Sequence, residues 1–326
     1  MQVQAVSKKR TSDQSTAGID VSQDWLDVHV LPAGSSLRVP NNEAGIRRLK
    51  RSLLQLNTRL VVIEPTSRWH RPVQRILHAA GIAVAEINPY RARSYARAEG
   101  VLAKNDRLDA MVLAKFGTIL DLDTRPPAPE SLAELGELVC ARTSATTERT
   151  SLINQKGAAT CSFLVRQLAR RIARMNVVIE DLEKEILARI KSDPALARRH
   201  QILTSIPGIG DATAFVLITR LSELGSLSCK SIAKIVGVAP LDWESGKMRG
   251  QRHIFGGRHE VRAAAYMAAL SAIRFNPPMK AYFERLTDNG KAFKQAMIAV
   301  VRKLVILANT LVGENRLWQS TAPNHA

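Results

Sequence analysis

The first third of the chain mixes short apolar runs with stretches of helical spacing. Four runs predict strands, because they alternate with polar residues or are compact and β-branched: 17–19, 26–31, 60–63 and 82–87. Three stretches repeat apolar residues every three or four positions and predict helices: 41–56, 72–80 and 106–116. Gly34-Ser35-Ser36 is a turn signal, and the first two runs resemble a hairpin. Strands that alternate with helices predict an α/β domain around a mixed sheet, over residues 17–125.

Residues 126–194 have a helical pattern throughout, after a break at Pro126-Pro127-Ala128-Pro129. One seam of apolar residues recurs at steps of three and four: Leu164, Leu168, Ile172, Met175, Ile179, Leu182 and Ile186. This spacing predicts a long helix that packs on a partner helix, in the same chain or across a dimer. The opposite face carries arginines, for which a solvated face is the default interpretation and phosphate contact the alternative: Arg166, Arg170, Arg171 and Arg174.

Residues 195–326 are also mainly helical, and glycine-rich breaks interrupt the pattern. Ile206-Pro207-Gly208-Ile209-Gly210 separates two helical stretches, 195–205 and 211–224. This arrangement resembles a helix-hairpin-helix element, in which backbone N–H groups near Gly208 and Gly210 would bind a phosphate. An ordinary connection inside a core is the alternative.

Composition then narrows the choice of partner. The chain has 47 Lys and Arg against 29 Asp and Glu, a net charge of +18, which favours a polyanion. A membrane surface would also attract this charge, but the longest apolar run, 263–273, is shorter than the roughly 18 residues of a spanning helix. Three widely spaced cysteines favour a reducing compartment and neither a disulfide framework nor a zinc site. We therefore expect a cytoplasmic protein that binds nucleic acid, with residues 1–16 forming a flexible basic arm rather than a secretory signal.

Four carboxylates are candidate metal ligands. Asp20 lies in the first strand region and Glu64 follows the strand 60–63, while Asp106 and Asp109 share one face at the start of a helix. Such acids can converge on one point, where Mg²⁺ or Mn²⁺ would neutralise them and could hold the oxygens of a phosphodiester. The alternative is structural, since acids are common at strand ends and favour helix N-termini. Asp27 alternates with apolar neighbours, and we expect it to face solvent.

The segment 237–250 is the most unusual stretch of the chain. Ser245 precedes a glycine and lies among cations that could bind a phosphate and stabilise charge during attack: Lys247, Arg249 and Arg252. A serine that attacks a phosphodiester forms a protein–DNA phosphoester. This intermediate keeps the energy of the phosphoester bond, so the DNA strands can be rejoined without ATP. Taken alone, Ser-Gly is more typical of a turn. Tyr266 is a competing nucleophile, although its apolar helix favours a core position, and His253 and His259 could transfer protons.

An ordered series of motifs resembles a known family along nearly the whole chain. The motifs include Gly18-Ile19-Asp20-Val21-Ser22, Ile63-Glu64-Pro65-Thr66, Asn105-Asp106-Arg107-Leu108-Asp109, Ile206-Pro207-Gly208-Ile209-Gly210, Ser245-Gly246 and Gly256-Gly257-Arg258. The chain resembles the DEDD transposases of bacterial insertion sequences, the "one-ten" family, and more closely its "eleven-eleven" branch. One departure is that the family often shows Ala-Thr-Gly after the glutamate, where this chain has Pro65-Thr66-Ser67.

The resemblance implies a fold, a chemistry and partners. It implies a RuvC-like domain of ribonuclease H type over 17–125, a coiled-coil dimerisation region over 126–194 and a transposase domain over 195–326. Asp20, Glu64, Asp106 and Asp109 would bind the metal, and Ser245 would form a covalent link to DNA. Donor and target DNA would be paired by a structured guide RNA from the element, and the protein would form dimers and tetramers associated with the nucleoid. Contacts to nucleic acid are expected from Gly208, Gly210, Lys247, Arg249, Arg252 and Arg258.

Two other functions are compatible with the residues. A RuvC-like nuclease would use the carboxylates and water to cut DNA, without a covalent intermediate. A non-enzymatic nucleic-acid-binding protein would keep its affinity after loss of Asp20 or Glu64. Each of the three functions predicts salt-sensitive binding, so affinity does not separate them.

Overall fold

The computed structural model describes residues 14–103, 105–124, 126–242, 244–245, 248–250 and 252–320. The chain divides between Ala128 and Pro129 into two compact units, called unit 1 and unit 2 from here on. The predicted α/β domain therefore corresponds to unit 1.

Unit 1 is built on a five-stranded mixed sheet in the order β3-β2-β1-β4-β5. The strands are β1 (Ser15–Val21), β2 (Trp25–Leu31), β3 (Ser35–Pro40), β4 (Thr58–Ile63) and β5 (Ala83–Glu86). β1, β2 and β3 are antiparallel neighbours, whereas β4 runs parallel to both β1 and β5. This arrangement is consistent with the predicted ribonuclease H-like domain.

Helices cover both faces of this sheet. On one face, α1 (Glu43–Gln55) and α2 (Arg71–Ala79) pack against alternate strand residues such as Ala17, Ile19 and Val61. On the other face lie α3 (Pro89–Ala98) and α4 (Asp106–Ile119), which share a small core with Val62. Two apolar faces are the reason why the strands read as almost continuous apolar runs.

The contact between α4 and β1 is unusually close. A Cβ atom at Gly18 would lie 2.0 Å from the carbonyl oxygen of Ala110 and 2.3 Å from the backbone nitrogen of Ala114. One turn further along α4, a Cβ at Gly117 would lie 2.5 Å from a methyl group of Val62. Backbone therefore meets backbone where α4 crosses the sheet, and a glycine at position 18 is a steric requirement.

Unit 2 begins with two long helices that pack against each other, α5 (Glu130–Ala158) and α6 (Ser162–Ser192). The partner of the predicted apolar seam is therefore present within the chain. The N-terminal part of α5 and the C-terminal part of α6 belong to one continuous core with the rest of unit 2. The residues that they contribute are Leu135, Val139, Ile186 and Ile190. Residues 129–194 thus belong to the same compact unit as the residues that follow, because apolar side chains at both helix ends are buried there.

The remaining helices of unit 2 enclose this core. They are α7 (Pro194–Thr204), α8 (Asp211–Arg220), α9 (Cys229–Val236), α10 (His259–Phe275), α11 (Pro277–Asp288) and α12 (Phe293–Gly313). By length and composition alone α12 could cross a membrane, so the expectation that no stretch was apolar enough is wrong. Three charged residues, Lys294, Arg302 and Lys303, interrupt its apolar run without lowering the mean hydropathy of the helix enough. One side of α12 is buried in the unit 2 core, through Val300, Val301 and Leu304, as in the core helix of a globular protein.

A small β-ribbon projects between α9 and α10, in a region that the sequence pattern predicted only as a glycine-rich segment. Its base pairs β6 (Pro240–Leu241) with β9 (His253–Ile254), and its far end pairs β7 (Glu244–Ser245) with β8 (Met248–Arg249). The pairs are two residues long, which is too short for a periodic sequence signal.

Three features of unit 1 differ from the sequence-based prediction. β1 begins at Ser15, so the end of the predicted arm 1–16 is already part of the sheet, where Ser15 and Thr16 are buried. β3 begins at Ser35, inside the predicted turn. Helix α3 was not predicted, because its buried face consists of two alanines, Ala92 and Ala96, in an otherwise polar stretch.

The steric requirement at Gly18 leads to a prediction about stability. Gly18→Ala forces α4 away from β1, and we expect it to lower the free energy of unfolding by about 3 kcal/mol. Gly157→Ala is the matched control, because no atom lies within 4 Å of a Cβ at that helical position. Urea denaturation measures both variants, and equal stability of the two would contradict the close contact.

Candidate active site

Two of the predicted carboxylates lie at the ends of the central parallel strands. β1 and β4 are in register through Ile19 and Ile63, so Asp20 and Glu64 follow at neighbouring positions. Side chains alternate along a strand, and Ile19 and Ile63 both point into the core beneath α1 and α2. Asp20 and Glu64 therefore both project on the opposite face, which α4 covers.

The other two carboxylates lie in the first turn of α4. The side chain of Asn105 accepts a hydrogen bond from the backbone N–H of Leu108 at 2.9 Å, so Asn105 is the N-cap of α4. Asp106 and Asp109 follow in the first turn. The close contact at Gly18, two residues before Asp20, holds this turn beside the end of β1.

Electrostatics shows that the four acids share one environment. The pKa of Asp20 is raised from its ordinary value of 3.8 to about 6, first by burial and then by the negative charges of Asp106, Asp109, Glu64 and Asp27, in that order. All three other members of the predicted quartet thus act on Asp20. The fold brings together the carboxylates that the sequence pattern had singled out.

Asp27 is a fifth acid at this site, and the expectation that it faces solvent is wrong. It is only 4% exposed and lies directly across from Asp20 in the β1–β2 pair. Burial raises the pKa of Asp27, while the charge of Arg38 lowers it. Polar and apolar residues alternate along β2, as predicted. The polar face of β2 is nevertheless covered by α4, and the sequence of β2 alone does not reveal this cover.

Arg38 links Asp27 to the quartet. Its Nε lies 3.5 Å from a carboxylate oxygen of Asp27, and one of its terminal nitrogens lies 3.5 Å from Asp106. The guanidinium also stacks over the ring of Trp25, 5.2 Å from the ring centroid. Sequence reasoning missed Arg38, although its place opposite Asp27 follows once β2 and β3 are paired.

The donor set fits a hard divalent cation. Carboxylate oxygens are the ligands that Mg²⁺ and Mn²⁺ prefer. After burial, the negative charges of four neighbouring acids raise the pKa of Asp20, so a cation would be attracted to this site. Within the described ranges, no three Asp, Glu, His or Cys side chains are already arranged closely enough to hold one ion.

The segment after Glu64, which departs from the Ala-Thr-Gly pattern, has the backbone conformation of a glycine at Ser67. Ser67 occupies the glycine position of that pattern, and its φ angle is +47°. This is the left-handed region that glycine adopts without cost and other residues rarely adopt. The backbone shape expected for a glycine is therefore present, although the residue is serine.

Ser245 lies in the β-ribbon of unit 2. In the backbone register of β7 and β8, Ser245 lies opposite Met248, and Glu244 lies opposite Arg249. The predicted phosphate-binding residue Lys247 lies outside the described residues, and for Arg249 only the backbone is described. The ribbon fold places Ser245 next to its tip, a position that the Ser-Gly turn signal is compatible with.

Glycines anchor the base of this ribbon. Gly237 ends α9 with a φ of +77°, and Gly257 packs against it so closely that a Cβ at Gly257 would lie 2.3 Å from the Gly237 nitrogen. Arg262 donates a hydrogen bond to the carbonyl oxygen of Gly256 at 2.5 Å. These contacts tie the start and the end of the ribbon to α9 and α10.

The predicted contacts to nucleic acid have different structural roles. Arg258 binds both carboxylate oxygens of Glu223 at 2.6 and 2.7 Å, and the Glu223 side chain is only 8% exposed. This ion pair explains Arg258 without any phosphate. Arg252 is exposed and pairs with Asp242 at 2.5 Å.

The turn at 206–210 packs inside unit 2. Gly208 has a φ of +107°, and a Cβ there would lie 2.6 Å from the Cβ of Ala272 on α10. Asn276 also donates a hydrogen bond to the carbonyl oxygen of Pro207 at 3.2 Å. Gly208 is thus required by packing, whereas Gly210 is exposed before the N-terminus of α8, so a phosphate contact there stays a prediction.

The structure also locates the alternative nucleophile, Tyr266, and the two histidines that could transfer protons. Tyr266 is partly buried against the unit 2 core, as expected for a core tyrosine. His253 and His259 are exposed, at β9 and at the start of α10. Their roles in proton transfer stay predictions.

Comparison with known proteins identifies related families. Residues 17–159 match a DEDD transposase model of the IS110 group, and residues 200–284 match a model described as transposase, IS116/IS110/IS902 family. Together the two matches cover more than half of the chain. The first match includes all four predicted carboxylates, and the second includes Ser245.

Individual relatives agree with these matches. The chain is 26% identical over 312 residues to a pilin gene-inverting protein of Moraxella bovis, which covers 92% of this chain and 96% of the relative. It is 25% identical over 201 residues to an uncharacterised 43.6 kDa protein of insertion element IS110 from Streptomyces coelicolor, covering 61% of this chain and 47% of that protein.

The raised pKa of Asp20 predicts a pH-dependent stability in the absence of divalent ions. Well below pH 3.8 Asp20 is protonated in both states, whereas between about pH 4 and 6 the folded state holds the proton more tightly than the unfolded chain. Stability therefore falls as the pH rises through this window and stays lower above it. A shift of this size corresponds to about 3 kcal/mol, which solvent screening at this partly exposed group reduces to about 1–2 kcal/mol.

We expect Asp20→Asn to remove this loss. With EDTA at pH 7.5 the variant should be more stable than the wild type by about 1–2 kcal/mol, and at pH 4 the difference should shrink. Denaturant unfolding at both pH values measures it, with Asp24→Asn, at an exposed position between β1 and β2, as the control. A variant that is no more stable than the wild type at pH 7.5 would show that burial and the neighbouring acids do not destabilise the Asp20 carboxylate.

The left-handed conformation of Ser67 yields a further prediction. Ser67→Gly relieves the strain of a β-carbon at φ +47°, and we expect it to raise the free energy of unfolding by about 1 kcal/mol. Thr66→Gly is the control, since its φ is not positive and glycine should destabilise the chain there. A melting temperature that falls in Ser67→Gly would contradict the assigned backbone conformation.

Proposed function

Since the chain belongs to the IS116/IS110/IS902 family of transposases, we propose that it cuts and rejoins DNA through a covalent bond between Ser245 and a phosphate, with the carboxylate quartet as the metal-binding partner site. The family and the pilin gene-inverting relatives establish the enzyme class, a DNA transposase or recombinase. The serine chemistry and the metal are the proposed part.

The observation that carries the proposal is the convergence of Asp20, Glu64, Asp106 and Asp109 on one face of the unit 1 sheet. Acids are brought together at a cost in repulsion, which the raised pKa of Asp20 records. In a protein with a net charge of +18, a cluster of acids supports a function in which negative charge must be concentrated at one site. Binding of divalent cations beside a phosphate is such a function.

The quartet would hold Mg²⁺ or Mn²⁺, which would polarise the phosphate and stabilise the departing oxygen. Asp27 and Arg38 would act as positioning residues, because Arg38 contacts both Asp27 and Asp106 and restrains the first turn of α4. The family implies divalent metal use in general, and the hard oxygen donors fit both ions.

Ser245 would supply the nucleophile. Its hydroxyl oxygen would form a bond to phosphorus while the bond between phosphorus and one sugar oxygen breaks. The serine hydroxyl loses a proton and the departing sugar oxygen gains one, so the number of phosphoester bonds is unchanged and rejoining needs no ATP. The position of Ser245 at the end of the paired ribbon strands, opposite Met248, supports this role.

The resemblance to the "eleven-eleven" branch further suggests a structured guide RNA that pairs with donor and target DNA. It also suggests dimers and tetramers, in which the hairpin of α5 and α6 would contribute to assembly. Action in the cytoplasm on the bacterial nucleoid belongs to the same proposal. The basic surface of the chain is compatible with both kinds of nucleic acid.

A second candidate function is cleavage by water. The pKa of Asp20 is about 6, so its carboxylate could accept a proton from an attacking water near neutral pH. Such a nuclease would need the quartet but not Ser245, and it would leave no protein attached to DNA.

A covalent-trapping experiment separates these functions. The protein, RNA transcribed from its element, Mg²⁺ and labelled donor or target DNA are mixed and resolved on a denaturing gel. We expect a protein–DNA band that is lost in Ser245→Ala and in Asp20→Asn, by at least a hundredfold. Ser320→Ala, at an exposed position near the end of the described chain, should keep the band.

Cleavage without a covalent band, unchanged in Ser245→Ala, would replace the proposal by the water-using nuclease. Binding without any cleavage, retained in Asp20→Asn, would leave only the non-enzymatic function.

A further inference from the structure

A second site candidate lies within unit 2, beside the base of the ribbon. It is an open groove with a volume of about 890 Å³. One wall is formed by β6 and β9 of the ribbon, including Arg252, and the other by α12 and the loop before it. The groove therefore continues directly into the strands that lead to Ser245.

Cations follow the α12 wall. Lys291, Lys294, Arg302 and Lys303 all line the groove. The three lysines are exposed, and Arg302 is half-buried. Among the residues that the structure describes, no acid forms an ion pair with any of these four side chains.

The floor of the groove is apolar, with Ile298 and Ile306 from the same face of α12. Tyr282 adds an aromatic ring, and the Nζ of Lys303 lies 4.5 Å from the centroid of that ring. Cations above an apolar and aromatic floor are typical of surfaces that bind a nucleic-acid strand, since the phosphates meet the cations while sugars and bases contact the floor.

We propose that this groove binds the phosphodiester backbone of the DNA strand that is presented to Ser245. The spacing of the cations supports a polymer rather than a small anion. Lys294 and Arg302 are eight residues apart on one helix, which corresponds to about 12 Å. Successive phosphates of one strand advance by about 3.4 Å along a duplex, so the row matches three to four of them.

A small phosphate ligand would require donors that converge on one point. Lys294 and Arg302 are instead separated by about 12 Å along α12, and the groove is open. Arg252, which was predicted from the sequence to contact nucleic acid, lies on the opposite wall and is held there by Asp242. The positive charge that no described acid compensates therefore lies on the α12 side of the groove.

This inference rests on the proposed function for its direction, because the groove is assigned to the strand that Ser245 attacks. Its binding role can be measured without any cleavage. The probe is a fluorescently labelled DNA duplex carrying the element's end, with fluorescence anisotropy recorded between 50 and 200 mM salt, a range over which phosphate contacts change affinity strongly.

We expect the triple variant Lys294→Gln, Arg302→Gln and Lys303→Gln to bind this DNA at least tenfold more weakly at 100 mM salt, on the order of one decade for three lost contacts. Its slope of log affinity against log salt should flatten by about 2–3, since each phosphate contact contributes about 0.9. The matched control removes the same charge from the exposed face of α1, as Arg47→Gln, Arg48→Gln and Arg51→Gln. Thermal unfolding shows that both triple variants are folded.

Several outcomes would overturn the inference. An equal loss in both triple variants would show that net charge, and not the groove, governs affinity. Unchanged DNA binding with a loss confined to the element's RNA, or to self-association measured by size-exclusion chromatography, would assign the groove to RNA or to an acidic surface of a second copy. Failure of the proposed serine chemistry is distinguishable, because Ser245→Ala would then keep DNA cleavage while groove-dependent binding remains.

Discussion

The close contact between α4 and β1 at Gly18 is the constraint on which the carboxylate site depends. Without a side chain at this position, the backbone of α4 lies directly on the central strand. Asp20 follows Gly18 by two residues on the same face, and Asp106 and Asp109 occupy the first turn of the contacting helix. A longer distance between helix and strand would separate the acids and lower their mutual repulsion, so packing and electrostatics at this site have one common cause.

Repulsion among the acids is partly offset by Arg38, a cation from the antiparallel part of the sheet. Arg38 reaches Asp27 and Asp106 from β3, and Asp27 in turn lies across from Asp20. The hairpin of β2 and β3 therefore contributes to the site, although none of the four predicted acids lies on it. We interpret Arg38 as a group that holds the helix turn in place while leaving negative charge for a metal ion.

Unit 2 combines a rigid base with a short projecting ribbon. Gly237 and Gly257 pack against each other, and Arg258 forms an ion pair with buried Glu223, so both ends of the ribbon are attached to the helical core. The basic groove begins at this base and follows α12. In the proposed function, the groove would hold a strand while the ribbon presents Ser245 to it.

Local signals in the sequence predict four of the five strands and three of the four helices of unit 1 and single out the four acids, because buried strands and helix periodicity can be read along the chain. They also predict the helical seam around Leu168 and Ile179, but they miss β3 and α3, whose stretches carry few apolar residues. Tertiary packing is what buries Asp27, pairs Arg258 with Glu223 and joins the helical hairpin to the core of the C-terminal helices. These features depend on which element covers a given face, and residues distant in the chain decide that through packing.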